Sequence, residues 1–257
     1  METLKDAKWK IIALLLVAGL GLMAAFLEGY LDLILGSVKF MLFFAAVLAG
    51  CIITALYMEG KTKFFIWLLV FGFFIGLVTQ MVGTTNDLWA YKESFVFGGF
   101  SWALAAITML GLSLFLSKQV LKDMDGKIRN VVALFILFLA LPTLLGKMIT
   151  EVRMNFWIYY FVLFVFAVVV TYHLKLSTLL SLILAAWLMG LMSEYMGSSI
   201  GLWKFYPEMT ESVACWSPPP YLTFGCWPLE FITQIALTSY ISRITMKDVY
   251  EKRRPAL

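Results

Sequence analysis

The chain has 257 residues, of which 62% are hydrophobic and only 14% are charged. A soluble domain carries about a quarter charged residues, so this composition excludes an ordinary soluble enzyme and a disordered chain. The formal charge of +4 is small for this length and predicts loops that face anionic lipid headgroups, not nucleic acid. We therefore expect the chain in a bilayer, where a helix of about 20 apolar residues spans the hydrocarbon core.

Eight apolar runs, taken in chain order, predict the membrane spans. Irregular backbone cannot face lipid, so each run is expected to be a helix, and the alternating pattern of a membrane β-barrel is absent. The sequence therefore predicts an all-α polytopic membrane helix bundle with about eight transmembrane helices. The runs cover 11–28, 38–57, 64–82, 95–117, 130–146, 155–172, 176–195 and 220–242.

The distribution of basic residues predicts the orientation of these spans. If the N-terminus is cytoplasmic, fifteen of the 20 Lys and Arg residues lie on the cytoplasmic side and five on the opposite side. Cytoplasmic loops carry such an excess of Lys and Arg. We expect a multi-pass protein of the cell (plasma) membrane with both termini in the cytoplasm.

Two segments of the chain align with each other and predict an internal repeat. GLVTQMVGTTNDLWAY (76–91) matches GLMSEYMGSSIGLWKF (190–205). The alignment pairs Gly76 with Gly190, Gln80 with Glu194, Trp89 with Trp203 and, further on, Trp102 with Trp227. It favours a tandem repeat of two four-helix units, 1–120 and 121–257, related by an axis along the membrane normal. The alternative is a chance likeness between apolar helices.

The residues that bind cofactors are scarce. The chain has one histidine, His173, and lacks nucleotide-binding and metalloprotease motifs. We therefore expect no metal site and no cofactor. Cys215 and Cys226 lie on the non-cytoplasmic side in the predicted topology, where they either form a disulfide or remain two unpaired thiols.

Glu230 is the most informative single residue. It lies about ten residues into the eighth run, which is about 15 Å of helix and therefore near mid-depth. An acid there is costly and marks a functional hypothesis, since a low dielectric favours the neutral form that an acid donor needs. Gln234 lies one turn further on the same face, within hydrogen-bonding reach. The alternatives are a structural Glu–Gln link, or a helix that starts later and leaves Glu230 in interfacial water.

A second acid, Glu194, lies at the outer end of the seventh run. Its aligned residue in the first half is Gln80, and the residue aligned with Glu230 is Ala105. Both acids therefore belong to the second copy, which predicts one asymmetric site. The alternative is that the two copies have diverged at these positions and that the acid lies at the membrane interface. Four tryptophans either line a pocket and stabilise a cation or form an interfacial belt. They are Trp89, Trp203, Trp216 and Trp227.

The segment Gly225-Cys226-Trp227-Pro228-Leu229-Glu230-Phe231 resembles the Pro-x-Glu signature of integral-membrane lycopene cyclases. The stretch Glu194…Gly197…Gly201-Leu202-Trp203-Lys204-Phe205 resembles the Glu–Gly–Gly-aromatic pattern of membrane carotenoid hydratases. The resemblance implies acid catalysis on an isoprenoid polyene, with Glu230 protonating a carbon–carbon double bond and aromatic rings shielding the carbocation. The chain departs from the cyclase pattern at Phe231, where a second acid is usual, and in having four spans per repeat instead of three.

Three functional interpretations stay open from the sequence. The first is a cofactor-free membrane enzyme, a cyclase or hydratase of an isoprenoid or carotenoid-like substrate, with Glu230 and Glu194 as catalytic acids. The second is a carrier for a small neutral or lipid-like solute, with its site at the repeat interface. The third is a non-catalytic subunit of a larger membrane complex. All three imply membrane lipids as partners, and a membrane-protein partner or a second copy of the chain is possible.

Overall fold

The computed structural model describes residues 2–85, 89–91, 96–121, 154–171, 174–205 and 225–250. Nine α-helices, a π-helical turn, two further π-helical residues at 225–226 and two short strands form these parts of the chain. The helices are α1 (Glu2–Leu27), α2 (Leu31–Gly36), α3 (Val38–Tyr57), α4 (Thr62–Thr85), α5 (Val96–Phe115), α6 (Met154–Thr171), α7 (Leu176–Ser199), α8 (Trp227–Ser242) and α9 (Met246–Tyr250). The π turn, π1, is Leu116–Val120, and the strands are β1 (Trp89–Tyr91) and β2 (Trp203–Phe205).

The helical bundle expected from the apolar runs is confirmed. Seven of the eight predicted runs coincide with a described helix, and the run 130–146 lies outside the described residues. Five helices, α1, α3, α4, α5 with π1, and α7, are long and apolar enough to cross a membrane. The apolar part of α6 and the 16 residues of α8 are shorter. These features are compatible with a membrane protein, while the number of eight spans stays a prediction.

The predicted start of the last helix, at residue 220, lies outside the described residues. Within them, residues 225–226 are π-helical and α8 follows from Trp227, with Pro228 in its first turn. Proline is suited to this position because its fixed φ fits the helix and its missing N–H has no partner there anyway. Glu230 lies in the first turn of α8, and its place ten residues into a longer helical run stays a prediction.

Helix α5 is the centre of the bundle. About 61% of its most apolar window is buried, compared with 28% in α1 and in α3, and it packs against α1, α3, α4 and α7. Its closest neighbour is α4, where Gly72 lies so near α5 that a Cβ atom would come within 2.8 Å of Ala103 Cα. Small residues allow this approach, which is how helices associate in a lipid environment.

An ion pair between the buried Lys10 and the partly exposed Asp6 links several helices at one end of the bundle. Lys10 is fully buried, and its Nζ donates to Asp6 Oδ2 at 2.5 Å, to the Ala55 carbonyl at 3.1 Å and to the Met58 carbonyl. Asp6 in turn accepts from the Gly60 amide at 2.9 Å. Lys10 therefore joins α1 to the end of α3 and to the turn before α4. At the opposite ends of α4 and α7, β1 pairs antiparallel with β2.

Candidate functional site

Glu230 lies where three helices meet. Its Oε1 atom accepts a hydrogen bond from Thr79 Oγ1 of α4 at 2.7 Å and another from the Tyr159 hydroxyl of α6 at 3.0 Å. The two hydroxyl oxygens are themselves 3.1 Å apart. Glu230 has no exposed surface. The carboxyl group is thus held by residues far away in the sequence.

Glu230 is shielded from water although it lies in the first turn of α8. Thr79 lies six residues before the end of α4, which corresponds to about 9 Å of helix. Because Glu230 contacts Thr79 at this level, the first turn of α8 lies inside the bundle and not at its surface. The alternative of an acid in interfacial water does not agree with this burial, because α4 continues about 9 Å past the level of Glu230.

The two oxygens of Glu230 have different surroundings. Oε1 accepts two hydrogen bonds, whereas Oε2 has no partner among the described residues. A neutral carboxylic acid has one accepting carbonyl oxygen and one O–H donor, so these contacts fit a neutral acid with its proton on Oε2. An ionised carboxylate would keep a bare, buried anionic oxygen, which is costly.

Gln234 does not make the hydrogen bond to Glu230 that its spacing suggested. Both atoms of its amide lack a partner among the described residues, and so does Thr238 Oγ1 one turn further. Glu230, Gln234 and Thr238 are all fully buried and follow each other at four-residue intervals on α8. Buried polar atoms are nearly always paired with protein, water or ligand, so this row of unpaired polar atoms is unusual for the interior of a helical bundle.

Glu194 positions Trp227 and not Glu230. Its Oε1 accepts a hydrogen bond from Trp227 Nε1 at 2.9 Å. The Trp227 ring stacks on Trp102 of α5, with ring centroids 4.1 Å apart and planes inclined by 24°. Offset stacking of this kind is the favourable arrangement for aromatic rings. A tryptophan pair therefore lies at the contact between the two halves of the chain.

Glycines make room for both indole rings. A Cβ atom on Gly76 would lie 2.5 Å from Trp102 Cβ, and one on Gly190 would lie 2.9 Å from Trp227 Cγ. Real Cβ atoms do not come that close to other heavy atoms. The stacked pair therefore depends on glycine at both positions.

A cavity of about 70 Å³ lies beside the stacked tryptophans. Its wall is mainly apolar, with six aromatic rings and a few polar groups, and includes Glu194 and Gln80 but not Glu230. Pockets that enclose a whole small molecule have about 300 Å³ or more, so this cavity has room for one small apolar group. The aromatic and polar lining residues are Phe40, Phe43, Phe44, Phe97, Trp102, Trp227, Gln80, Ser101, Ser193 and Glu194.

The remaining predicted residues lie apart from Glu230. Trp89 and Trp203 belong to the paired strands, where Trp89 is opposite Phe205 and Trp203 is opposite Tyr91. Trp216 and Cys215 lie outside the described residues, and Cys226 is a buried free thiol. Within the described ranges, no group of three or more His, Cys, Asp or Glu side chains is placed to hold a metal ion.

Sequence reasoning did not predict three residues of this site. Thr79 and Tyr159, the two hydrogen-bond donors to Glu230, lie in apolar helices, where a hydroxyl often bonds to its own backbone. The third residue is Trp102. The repeat alignment gave a signal for Thr79, which is opposite Ser193, and for Trp102, which is opposite Trp227. Tyr159 had no signal beyond a hydroxyl within an apolar run.

The described residues form a helical bundle with five helices that are long and apolar enough to cross a membrane. Inside it lies the fully buried carboxyl group of Glu230, whose Oε1 accepts two hydrogen bonds and whose Oε2 has no partner among the described residues. Comparisons with protein-family models, with curated proteins and with solved structures find no match for this chain. The functional argument therefore rests on the geometry of the site.

Proposed function

We propose that this protein is an integral membrane enzyme that acts on a lipid-soluble, isoprenoid or carotenoid-like substrate by acid catalysis. The observation that carries the proposal is the asymmetric carboxyl of Glu230, with two donors on Oε1 and none on Oε2. Thr79 and Tyr159 fix the carboxyl and leave the O–H on Oε2 as the group able to protonate a substrate. A positioned acid of this kind typically accelerates a reaction by about 10² to 10⁴.

The proposed step needs no cofactor. The Oε2 proton adds to one carbon of a carbon–carbon double bond and leaves a carbocation on the other. In a cyclisation, a second double bond attacks the cation, and a proton then leaves carbon, so that substrate and product are isomers. In a hydration, water attacks the cation and loses a proton. In both reactions the substrate cation finally loses one proton. The Glu230 carboxylate accepts that proton and becomes the neutral acid again.

The cavity beside the tryptophan pair has room for one small apolar part of such a substrate. Trp227 lines it and lies one helical turn before Glu230, so the cavity and the acid share the start of α8. Indole faces stabilise cations, which suits a carbocation formed nearby. Ala105, the residue aligned with Glu230, also lines the cavity. At the position that Glu230 occupies in the second half, the first half therefore has a small apolar residue that lines the cavity.

We also propose that the chain is a tandem repeat of two four-helix units with eight spans. The strand pairing supports it, since Ala90 is opposite its aligned residue Lys204. On either side, Trp89 is opposite Phe205 and Tyr91 is opposite Trp203, so each pair is the repeat-related copy of the other, as a two-fold axis requires. The packing of Gly76 on Trp102 and of Gly190 on Trp227 supports it as well. The excess of Lys and Arg on one side favours the cell membrane with both termini cytoplasmic.

The enzyme hypothesis is tested in cells that accumulate an acyclic carotenoid such as lycopene. Expression of the wild-type chain should give a cyclic or hydrated product by chromatography and mass spectrometry, and Glu230→Gln should lower its rate at least about 100-fold. The matched control is Glu59→Gln, the same substitution at an exposed position, which should keep full activity. An unchanged rate in Glu230→Gln, at equal protein in the membrane fraction, would refute the role of Glu230.

One observation favours a carrier as the second candidate. The cavity lies at the contact between the two proposed halves, which is where duplicated transporters bind their substrates. A carrier would catalyse uptake of a neutral or lipid-like solute into proteoliposomes without changing it chemically. Uptake of an unmodified solute that depends on Glu230, together with no product in the carotenoid assay, would favour the carrier over the enzyme.

A further inference from the structure

A groove runs along the contact between α3 and the last part of α5, at the end of the bundle that holds Lys10. The two helices touch beneath it, since a Cβ atom on Gly50 would lie 3.0 Å from Thr108 Cγ2 and one on Gly111 would clash with Thr54 Oγ1. The groove of about 410 Å³ lies on the outer side of this contact. Its walls are largely apolar and face outward: Ile53 is 66% exposed and Phe115 is 58% exposed. In a membrane this groove opens to lipid.

The length of the groove matches one leaflet. Its lining on α5 and π1 runs from Thr108 to Lys118 and Gln119. Ten residues of helix span about 15 Å, which is half of the roughly 30 Å hydrocarbon core. The groove therefore extends from about mid-membrane to the headgroup region, the reach of a single acyl chain.

A cation lies at the headgroup end of the groove. Lys118 Nζ donates to the Tyr57 hydroxyl at 2.8 Å and lies 4.9 Å from the centroid of that ring. The contacts of Lys118 among the described residues are these two to Tyr57, and neither is with a carboxylate. An ammonium group has three donors, and the contact with Tyr57 uses one of them.

The backbone changes its helical form at the same place. Lys118 lies in π1, where the Leu121 amide bonds to the Leu116 carbonyl at 2.8 Å, five residues back. Such turns are rare and are frequent at functional sites. This observation is independent of the charge and of the groove.

We propose that the groove binds one anionic phospholipid, with an acyl chain lying along the outer side of the α3–α5 contact and the phosphate on the Lys118 ammonium. Charge complementarity identifies the headgroup, because the described residues that line the groove include a cation and no acid. The length and apolar walls identify the acyl chain. The site is separate from Glu230 and does not depend on the enzyme hypothesis.

The test is native mass spectrometry of the full chain in detergent. The probes are phosphatidylglycerol and phosphatidylcholine with identical acyl chains, and glycerol 3-phosphate as a soluble phosphate without a chain. One basic residue near a membrane surface changes binding of anionic lipid by about fivefold. We therefore expect Lys118→Gln to bind phosphatidylglycerol about fivefold more weakly while its binding of phosphatidylcholine stays unchanged.

Two further variants separate the parts of the proposal. Lys63→Gln removes an exposed cation from the first turn of α4, near the same end, and should leave lipid binding as in the wild type. Ile53→Trp fills the groove and should weaken both lipids. The proposal is overturned if Lys118→Gln keeps the wild-type preference, if Lys63→Gln loses it equally, or if Ile53→Trp changes nothing. Competition by glycerol 3-phosphate at the same concentration as the lipid would also overturn it, in favour of a free-phosphate site.

Discussion

Replacing Gly76 by alanine tests the packing that holds the tryptophan pair. The added Cβ atom would lie 2.5 Å from Trp102 Cβ and 2.8 Å from its Cγ. Because Trp102 is buried and stacked on Trp227, the ring has little room to move away. Overpacking of this kind costs about 1 to 3 kcal/mol, and alanine returns at most about 1 kcal/mol through its helix propensity. We expect Gly76→Ala to lower the free energy of unfolding by roughly 1 to 2 kcal/mol.

Two companion variants sharpen this prediction. Gly190→Ala places its Cβ 2.9 Å from Trp227 Cγ and should also destabilise the fold. Because both substitutions displace the same stacked pair, their effects should be non-additive, with a coupling energy above about 0.5 kcal/mol. Gly19→Ala in α1 is the control, since its Cβ would have no neighbour within 4 Å, and it should be neutral or stabilising.

The assay is unfolding of the purified chain in mild detergent by a denaturing detergent, followed by tryptophan fluorescence. Equal stability of Gly76→Ala and Gly19→Ala would refute the packing argument. Strict additivity of Gly76→Ala and Gly190→Ala would show that the two indole rings do not act as one unit.

Three further predictions follow from the described contacts. Lys10→Met should cost roughly 2 to 3 kcal/mol of stability by leaving charged and carbonyl partners unpaired. The control Lys8→Met, at an exposed position, should cost nothing measurable. Equal losses of unfolding free energy in the two variants would contradict the role of Lys10. Tyr159→Phe removes one donor to Glu230 and should lower kcat roughly tenfold with little change in KM; an unchanged kcat would contradict a positioning role. Burial raises the pKa of Tyr250, so the native state keeps this phenol neutral while the unfolded chain ionises it above about pH 10. Stability should therefore fall as the pH rises past that value, and Tyr250→Phe should lose less of it; equal losses in both proteins would contradict the assignment.

Much of the fold could be predicted because the signal is local. A long apolar run must be helical in lipid, and α3, α4 and α7 follow their runs closely. Helix α1 instead begins at Glu2, well before its run at residue 11, because the preceding segment is polar and hydropathy does not mark a helix end. The predicted start of the eighth run, at residue 220, lies outside the described residues. The π1 turn had no signal in the sequence.

The site was only partly predictable, because its contacts are between helices. Glu230 was identified since a single acid in an apolar run is costly and therefore unusual. Its donors were not identified, because the sequence does not say which faces of α4 and α6 meet α8. Gln234 was assigned to Glu230 from helical spacing alone, and the carboxyl instead found its donors, Thr79 and Tyr159, on other helices.

The most direct test of proton donation by Glu230 is product formation in deuterated water. An acid that exchanges with solvent and protonates a double bond leaves one solvent hydrogen on carbon, whether the cation then cyclises or takes up water. The account predicts one carbon-bound deuterium per new ring or hydroxyl group in the wild-type product, and almost no product from Glu230→Gln. A product of the wild-type chain without carbon-bound deuterium would contradict acid catalysis by this protein.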